Sequence, residues 1–217
     1  MNASARLAFA EPGEAGELTA YLERQLRWDR AAAARLQADG EVVSVFTRPA
    51  RFDVLAVRAF RLREPATLDA TVSAGELLES VDAGELAVPA AVTGPSWAGL
   101  LPPRGVWRPE SQLPVERVRN EAAAVVSEFR SRREALTSAE ATREALDALA
   151  EEIWSRSLPG TPLPLRAVHA AHALGMLRAT TPVAVLSKGT WLRLRTFLGS
   201  IAVRRSGAAP GLSVRPI

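Results

Sequence analysis

One stretch of this sequence resists regular secondary structure and therefore divides the chain. Residues 84–113 have GPSWAGLLPPRGVWRPE at their centre, and these 17 residues hold four prolines, three glycines and two tryptophans. Proline and glycine interrupt helices and strands, so the stretch is predicted to be a loop. Because Trp97 and Trp107 would be unfavourable in water, we expect the loop to pack on a surface. A unit boundary is predicted near its end.

The residues before this loop predict a sheet with helices. Apolar residues recur at helical spacing from Gly13 to Ala38, with Gly40 as the expected stop. EVVSVFTR (41–48) and DVLAVRAFRL (53–62) have the pattern of strands joined by a loop of hairpin length. Shorter elements are expected as strands over residues 5–10 and 67–72 and as a helix over residues 74–80.

The residues after the loop predict helices followed by strands. Helices are expected from Pro114 to Leu136, then to about Ser157 after a capping box over Thr137–Glu140, and from Pro164 to Leu177. Three short strands follow: PVAVL, TWLRLRT and SIAVRR. No internal repeat is evident. We predict an α+β protein with a sheet-plus-helix unit (1–112), a helical unit ending in a winged-helix-like β-hairpin (113–206), and a tail (207–217).

The C-terminal hairpin suggests contact with a nucleic-acid backbone. Strand alternation puts Trp191, Arg193 and Arg195 on one face and two leucines on the other. Arginines beside an aromatic ring suit phosphates and stacked bases. The preceding helix offers no amide side chain for reading base edges, so binding is expected to be sequence-tolerant. The residues assigned to this hypothesis are Lys188, Trp191, Arg193, Arg195, Arg204 and Arg205.

The distribution of charge supports an external anionic partner. Residues 153–217 hold nine cations and no acid, so residues 1–152 hold 27 − 9 = 18 cations against all 24 acids. A block of +9 next to a block of −6 indicates either an acidic partner or mutual docking of the two blocks. In the second case the arginines would pair with N-terminal acids.

A protein-interaction or assembly role is the alternative hypothesis. Aromatic residues and arginine dominate binding hot spots, and the proline-rich loop supplies Trp97, Arg104, Trp107 and Arg108. The hairpin could also add an edge strand to a partner or to a second copy of the chain.

The sequence gives little support to other classes of function. There is no cysteine, and His169 and His172 lack a third ligand for zinc. The serine of GPSWAG has the wrong spacing for a nucleophile elbow, and SKGT lacks a phosphate-binding glycine turn. We therefore assign no catalytic residue, cofactor or metal. With no secretory signal and no continuous apolar span, a cytoplasmic location and no membrane partner are expected.

Three segments resemble a known group of sequences. They are LERQLRWDRAAAARL (22–36), LLPPRGVW (100–107) and LPLRAVHAAHALGML (163–177), followed by the terminal hairpin. Together they resemble an uncharacterised protein family of high-GC Gram-positive (actinobacterial) bacteria. The resemblance implies no activity, cofactor or catalytic residue.

Overall fold

The computed structural model describes residues 5–205 and has mixed α+β architecture, as predicted. The strands are β1 (Arg6–Ala8), β2 (Ala33–Thr47), β3 (Leu55–Ser73), β4 (Val81–Asp82), β5 (Glu85–Ala87), β6 (Arg108–Leu113), β7 (Val183–Lys188), β8 (Trp191–Thr196) and β9 (Gly199–Arg204). The helices are α1 (Pro12–Leu26), α2 (Ala74–Glu79), α3 (Val115–Glu134), α4 (Arg143–Ser155) and α5 (Leu165–Ala173), with a short 3₁₀ helix at Ser96–Gly99. None of the helices within residues 5–205 is long and apolar enough to span a bilayer.

Six of the nine strands described in residues 5–205 belong to one antiparallel sheet that joins both halves of the chain. Its order is β2-β3-β9-β8-β7-β6, and a separate three-stranded sheet has the order β1-β5-β4. The connection between the halves is the pairing of Leu55–Val57 in β3 with Ser200–Ala202 in β9. Strands from the C-terminal half therefore continue a sheet that begins in the N-terminal half.

The predicted winged-helix-like ending is not what these strands form. Strands β7, β8 and β9 lie where the sequence placed them, but β8 and β9 each have a paired strand on both sides. A wing projects from its domain with a free edge, whereas these strands are interior strands of the sheet. The six-stranded sheet thus replaces the free hairpin.

The prediction of helix up to Ala38 is wrong for its last residues. Helix α1 ends at Leu26, and Ala33–Ala38 begin β2, paired with Leu68–Ser73 of β3. Ala34, Leu36 and Ala38 are buried while the residues between them are not, which is the period of two of a half-buried strand. Pairing with β3 overrides the helix propensity of an alanine-rich segment.

The helices cover one face of the sheet, which we call the inner face. Tyr21 of α1 is fully buried, and its hydroxyl lies 2.6 Å from the Thr47 hydroxyl of β2. Arg58 of β3 is 4% exposed and pairs with Glu17 of α1. Helix α5 packs on β9 and on α3, and α4 packs on both α3 and α5. One hydrophobic core runs through both halves.

Both halves begin with the same order of elements, although the sequence shows no internal repeat. Each begins with a short strand and a long helix, β1–α1 or β6–α3, and continues into antiparallel strands. The second half differs by inserting α4 and α5 before its strands. Thr142 rather than Thr137 caps α4, and the Thr137–Glu140 contact forms in the turn before it.

Candidate protein-interaction surface

The proline-rich loop lies on the outer face of the sheet, opposite the helices. We call residues 92–107 the strap. At its start, the Val92 amide donates to the Thr71 carbonyl at 2.8 Å. The Arg35 guanidinium, itself held by Asp69 at 2.8 Å, donates to the Ala98 carbonyl. These contacts fix the strap to the β2–β3 hairpin.

The end of the strap is fixed to the C-terminal strands. The Lys188 ammonium donates to the Arg104 carbonyl, and the Arg104 guanidinium donates to the Gln37 side chain at 3.0 Å. The guanidinium of Arg193 stacks over the ring of Trp107, 4.2 Å from its centroid. Burial, and then the neighbouring charge of Arg195, lower the pKa of Arg193. Both ends of the strap are therefore anchored by side chains.

Between the strap and the sheet lies a groove of about 370 Å³ that is lined by both apolar and charged side chains. Leu55 and Ala202, neighbours across β3 and β9, form its floor. Trp97 and Leu100 of the strap and Trp191 of β8 also line it. The remaining lining residues are Arg48, Asp53, Val54, Ser96, Val203 and Arg204. Leu100 is 50% exposed, so the groove offers apolar surface to solvent.

A larger polar cleft of about 880 Å³ adjoins the groove and shares Arg48, Asp53 and Trp97 with it. Its charges are largely paired: Arg48 lies 2.7 Å from Asp53, and Arg166 lies 2.5 Å from Glu151. One wall is the β2–β3 turn, in which Arg51 and Asp53 have positive φ values of 72° and 51°. This backbone conformation costs about 1–2 kcal/mol for a residue other than glycine, so packing must hold the turn.

Aromatic stacking holds that turn. Phe52 makes edge contacts with Trp28 and with His169 of α5, at centroid distances of 5.4 and 5.0 Å. His169 in turn lies 5.0 Å from Trp154. Burial, with a smaller effect of the charge of His172, lowers the pKa of His169 to about 4. Within residues 5–205 no group of three potential metal ligands comes together.

Two of the predicted cations, Arg108 and Arg205, lie near Glu110 and away from the groove. Arg205 follows Arg204 and points to the inner face, 3.8 Å from Glu110. Arg108 is bound to the same carboxylate at 2.5 Å, and the Ser187 hydroxyl donates to it. The Ser187 hydrogen bond first, and then the charge of Arg108, hold the pKa of Glu110 below its usual value.

The structure brings together residues that the sequence assigned to two different roles. Strand β8 alternates as predicted, with Leu192 and Leu194 buried. Arg195 shares the outer face but lies at the far end, beside the exposed Phe197. The others gather at the strap and groove: Trp97, Arg104, Trp107, Lys188, Trp191, Arg193 and Arg204. The sequence analysis did not predict that Arg48, Leu55, Leu100 and Ala202 line the groove. Among them only Leu100 could have been suspected from the sequence, because it is an apolar residue in a proline-rich loop.

Two family models match the chain, one in each half. Residues 2–99 match a family described as "Domain of unknown function (DUF8010)", and residues 102–208 match "Domain of unknown function (DUF8185)". No curated protein matches the sequence. The resemblance to a family without an assigned function is confirmed at this level, and the actinobacterial origin stays a prediction.

Solved structures with a similar fold are DNA polymerase sliding clamps. The DnaN clamp (DNA polymerase III subunit beta) from Bartonella birtlesii bound to griselimycin aligns with a TM-score of 0.55 and 12% identity, over 95% of this chain and 66% of that chain. The clamp from Caulobacter crescentus aligns with a TM-score of 0.52 and 14% identity, over 96% and 67%. The clamp from Pseudomonas aeruginosa with ligand gives 0.51 and 11%, over 94% and 66%. The chain spans about two thirds of these clamps, and identities this low show a shared fold alone.

The leading functional hypothesis, a C-terminal module that contacts nucleic-acid backbone, is therefore wrong. It assumed a winged-helix-like hairpin, whereas the chain has a sliding-clamp-like fold in which β8 and β9 are interior strands. Three of its cations are also engaged internally, since Lys188 binds the Arg104 carbonyl, Arg193 stacks on Trp107 and Arg205 pairs with Glu110. The comparisons fit the alternative of protein interaction better.

Proposed function

We propose that this chain is a non-enzymatic protein-interaction module on a sliding-clamp-like fold, and that its groove receives an extended segment of a partner protein. The observation that carries the proposal is the groove itself, which is lined by Trp97 and Leu100 of the strap together with Trp191 of β8. Tryptophan side chains in a pocket are the commonest anchors of protein binding. The partner segment is expected to insert apolar side chains between them.

The anchoring of the strap supports a preformed site. Arg35 and Lys188 each donate to a strap carbonyl, and Arg193 stacks under Trp107. These contacts hold one wall of the groove against the sheet before any partner arrives. A preformed wall reduces the entropy lost on binding, so a short segment would suffice for measurable affinity.

The similarity of fold suggests which class of protein the partner belongs to. The similar structures are titled DNA polymerase sliding clamps, and one is bound to griselimycin. By analogy, we propose that the partner is a protein that acts on DNA and that this chain serves as a scaffold for it. Self-association through β2 and β6, the two outermost strands of the sheet in the described part of the chain, is compatible with this role.

Selection from a peptide library tests the proposal. Peptides selected on the wild-type protein should contain apolar anchor residues and should bind the Trp191→Ala variant at least about tenfold more weakly, the usual loss at a hot spot. Phe197→Ala is the matched control, because Phe197 is 73% exposed but lies outside the groove. Selected peptides that bind wild type and Trp191→Ala equally well would refute the proposal.

A further inference from the structure

We infer that the partner segment is acidic, with glutamate or aspartate next to its apolar anchors. This inference rests on the proposed function and adds the chemistry of the partner. Its basis is the positive charge that the folded chain leaves uncompensated on the outer face beside the groove. The apolar side chains of the groove by themselves would select only for apolar anchors in the partner.

The outer-face cations of β7, β8 and β9 have no acid within these three strands. Residues 183–205 contain no aspartate or glutamate. Lys188, Trp191 and Arg204 are paired across β7, β8 and β9, so the three side chains share the outer face. The Arg204 guanidinium lies 6.0 Å from the centroid of the Trp191 ring. A positive charge thus borders the groove.

Three acids near the strap and the groove are paired with other cations. Asp53, at the rim of the groove, is paired with Arg48 at 2.7 Å. Asp39 lies 3.5 Å from Arg104, and Asp69 holds Arg35. In the part of the chain from residue 5 to residue 205, no carboxylate lies at salt-bridge distance from the following outer-face cations: Lys188, Arg193, Arg195 and Arg204.

The arrangement fits an acidic protein segment better than a nucleic acid. A nucleic-acid strand is held by a row of several free cations, but Lys188 and Arg193 already bind the strap. Arg204 remains, and its guanidinium fork can hold one carboxylate through two parallel hydrogen bonds. The Arg204 guanidinium beside the apolar side chains of the groove is therefore complementary to a partner segment in which a carboxylate stands next to an apolar side chain.

Fluorescence polarisation with designed peptides tests the inference. The probe is a labelled, C-terminally amidated peptide in which leucine and phenylalanine are followed by a run of glutamates. We expect it to bind about tenfold more tightly than the same peptide with glutamines, the usual effect of one charge-assisted hydrogen-bonded pair. The difference should shrink in high salt, because the site is open to solvent. Arg204→Glu should abolish the preference and favour a peptide with lysines instead.

Control variants separate the possible failures. Arg195→Glu makes the same charge change on the same face, away from the groove, and should keep the preference. Equal binding of the glutamate and glutamine peptides, with both lost in Trp191→Ala, would overturn the acidic preference and leave the proposed function standing. Failure of both peptides and of library selection would overturn both. A single-stranded oligonucleotide that binds more tightly than the glutamate peptide and is lost in Arg204→Glu would overturn the choice of a protein partner.

Discussion

His169 is a half-buried residue that packs among aromatic rings. Its ring lies between Phe52 and Trp154, and its Nδ1 atom has no hydrogen-bond partner among residues 5–205. Such a site favours the neutral imidazole, which is why the pKa falls to about 4. The ring therefore serves as a packing element between the β2–β3 turn and α4.

A lowered histidine pKa makes the folding free energy depend on pH. Above the unfolded pKa of about 6.5 the ring is neutral in both states and does not affect the free energy of unfolding. Below that pH the unfolded chain binds a proton on this ring and the folded chain does not, so unfolding becomes more favourable. The free energy of unfolding should fall by about 2 kcal/mol between about pH 7 and about pH 5, for a folded pKa of about 4. Urea denaturation at several pH values measures this change.

Matched variants identify the group responsible. His169→Phe keeps an aromatic ring in the stack and should flatten the pH dependence over that range. His172→Gln, on the exposed side of α5, should leave it unchanged. The paired carboxylates of Glu128 and Glu152 have lowered pKa values and stay ionised there. Equal pH dependence in wild type and His169→Phe would contradict this assignment.

The six-stranded sheet depends on the pairing of β3 with β9, which we call the seam. Gly199 begins β9 with a φ of 152°, and a Cβ atom there would lie 2.6 Å from the Val57 carbonyl oxygen. Only glycine allows this close approach. The seam joins the two halves of the chain into one sheet, so its loss would separate the strap's two anchoring points.

Substitution of Gly199 should therefore cost more than the loss of an ordinary turn glycine. Gly199→Ala is expected to lower the free energy of unfolding by about 2–4 kcal/mol, from a steric clash added to backbone strain. Gly189→Ala, in the β7–β8 turn, has positive φ but open space around it, and should cost about 1 kcal/mol. If chemical denaturation showed the same loss of unfolding free energy for Gly199→Ala and Gly189→Ala, β9 would not approach β3 as closely as described.

Local sequence patterns predicted most elements and missed what depends on long-range pairing. Helices α2, α3 and α5 and strands β7 to β9 lie where apolar periodicity placed them. The first half of β2 was missed, because alanines at positions 33–38 fit a helix equally well until β3 pairs with them. The division into units at residue 112 stays a prediction.

At the scale of the molecule, the sequence located the unbalanced charge but not the contacts that this charge makes in the fold. The unbalanced C-terminal charge survives folding in part: Arg156 and Arg166 pair with acids of α3 and α4, whereas Arg195 and Arg204 do not. Arg215 lies outside the described residues. That the strap meets these cations depends on contacts such as Lys188 to Arg104, which no local pattern contains.

The central claim is that a partner segment binds between the strap and β8, and the five tryptophans of the chain report on it directly. A heteronuclear NMR titration with the glutamate peptide follows each indole N–H signal, assigned by single Trp→Phe variants. We predict that the signals of Trp97 and Trp191 shift on binding, while those of Trp28 and Trp154, in the stack around His169, stay in place. Shifts confined to Trp28 and Trp154, or no shift at saturating peptide, would contradict the account.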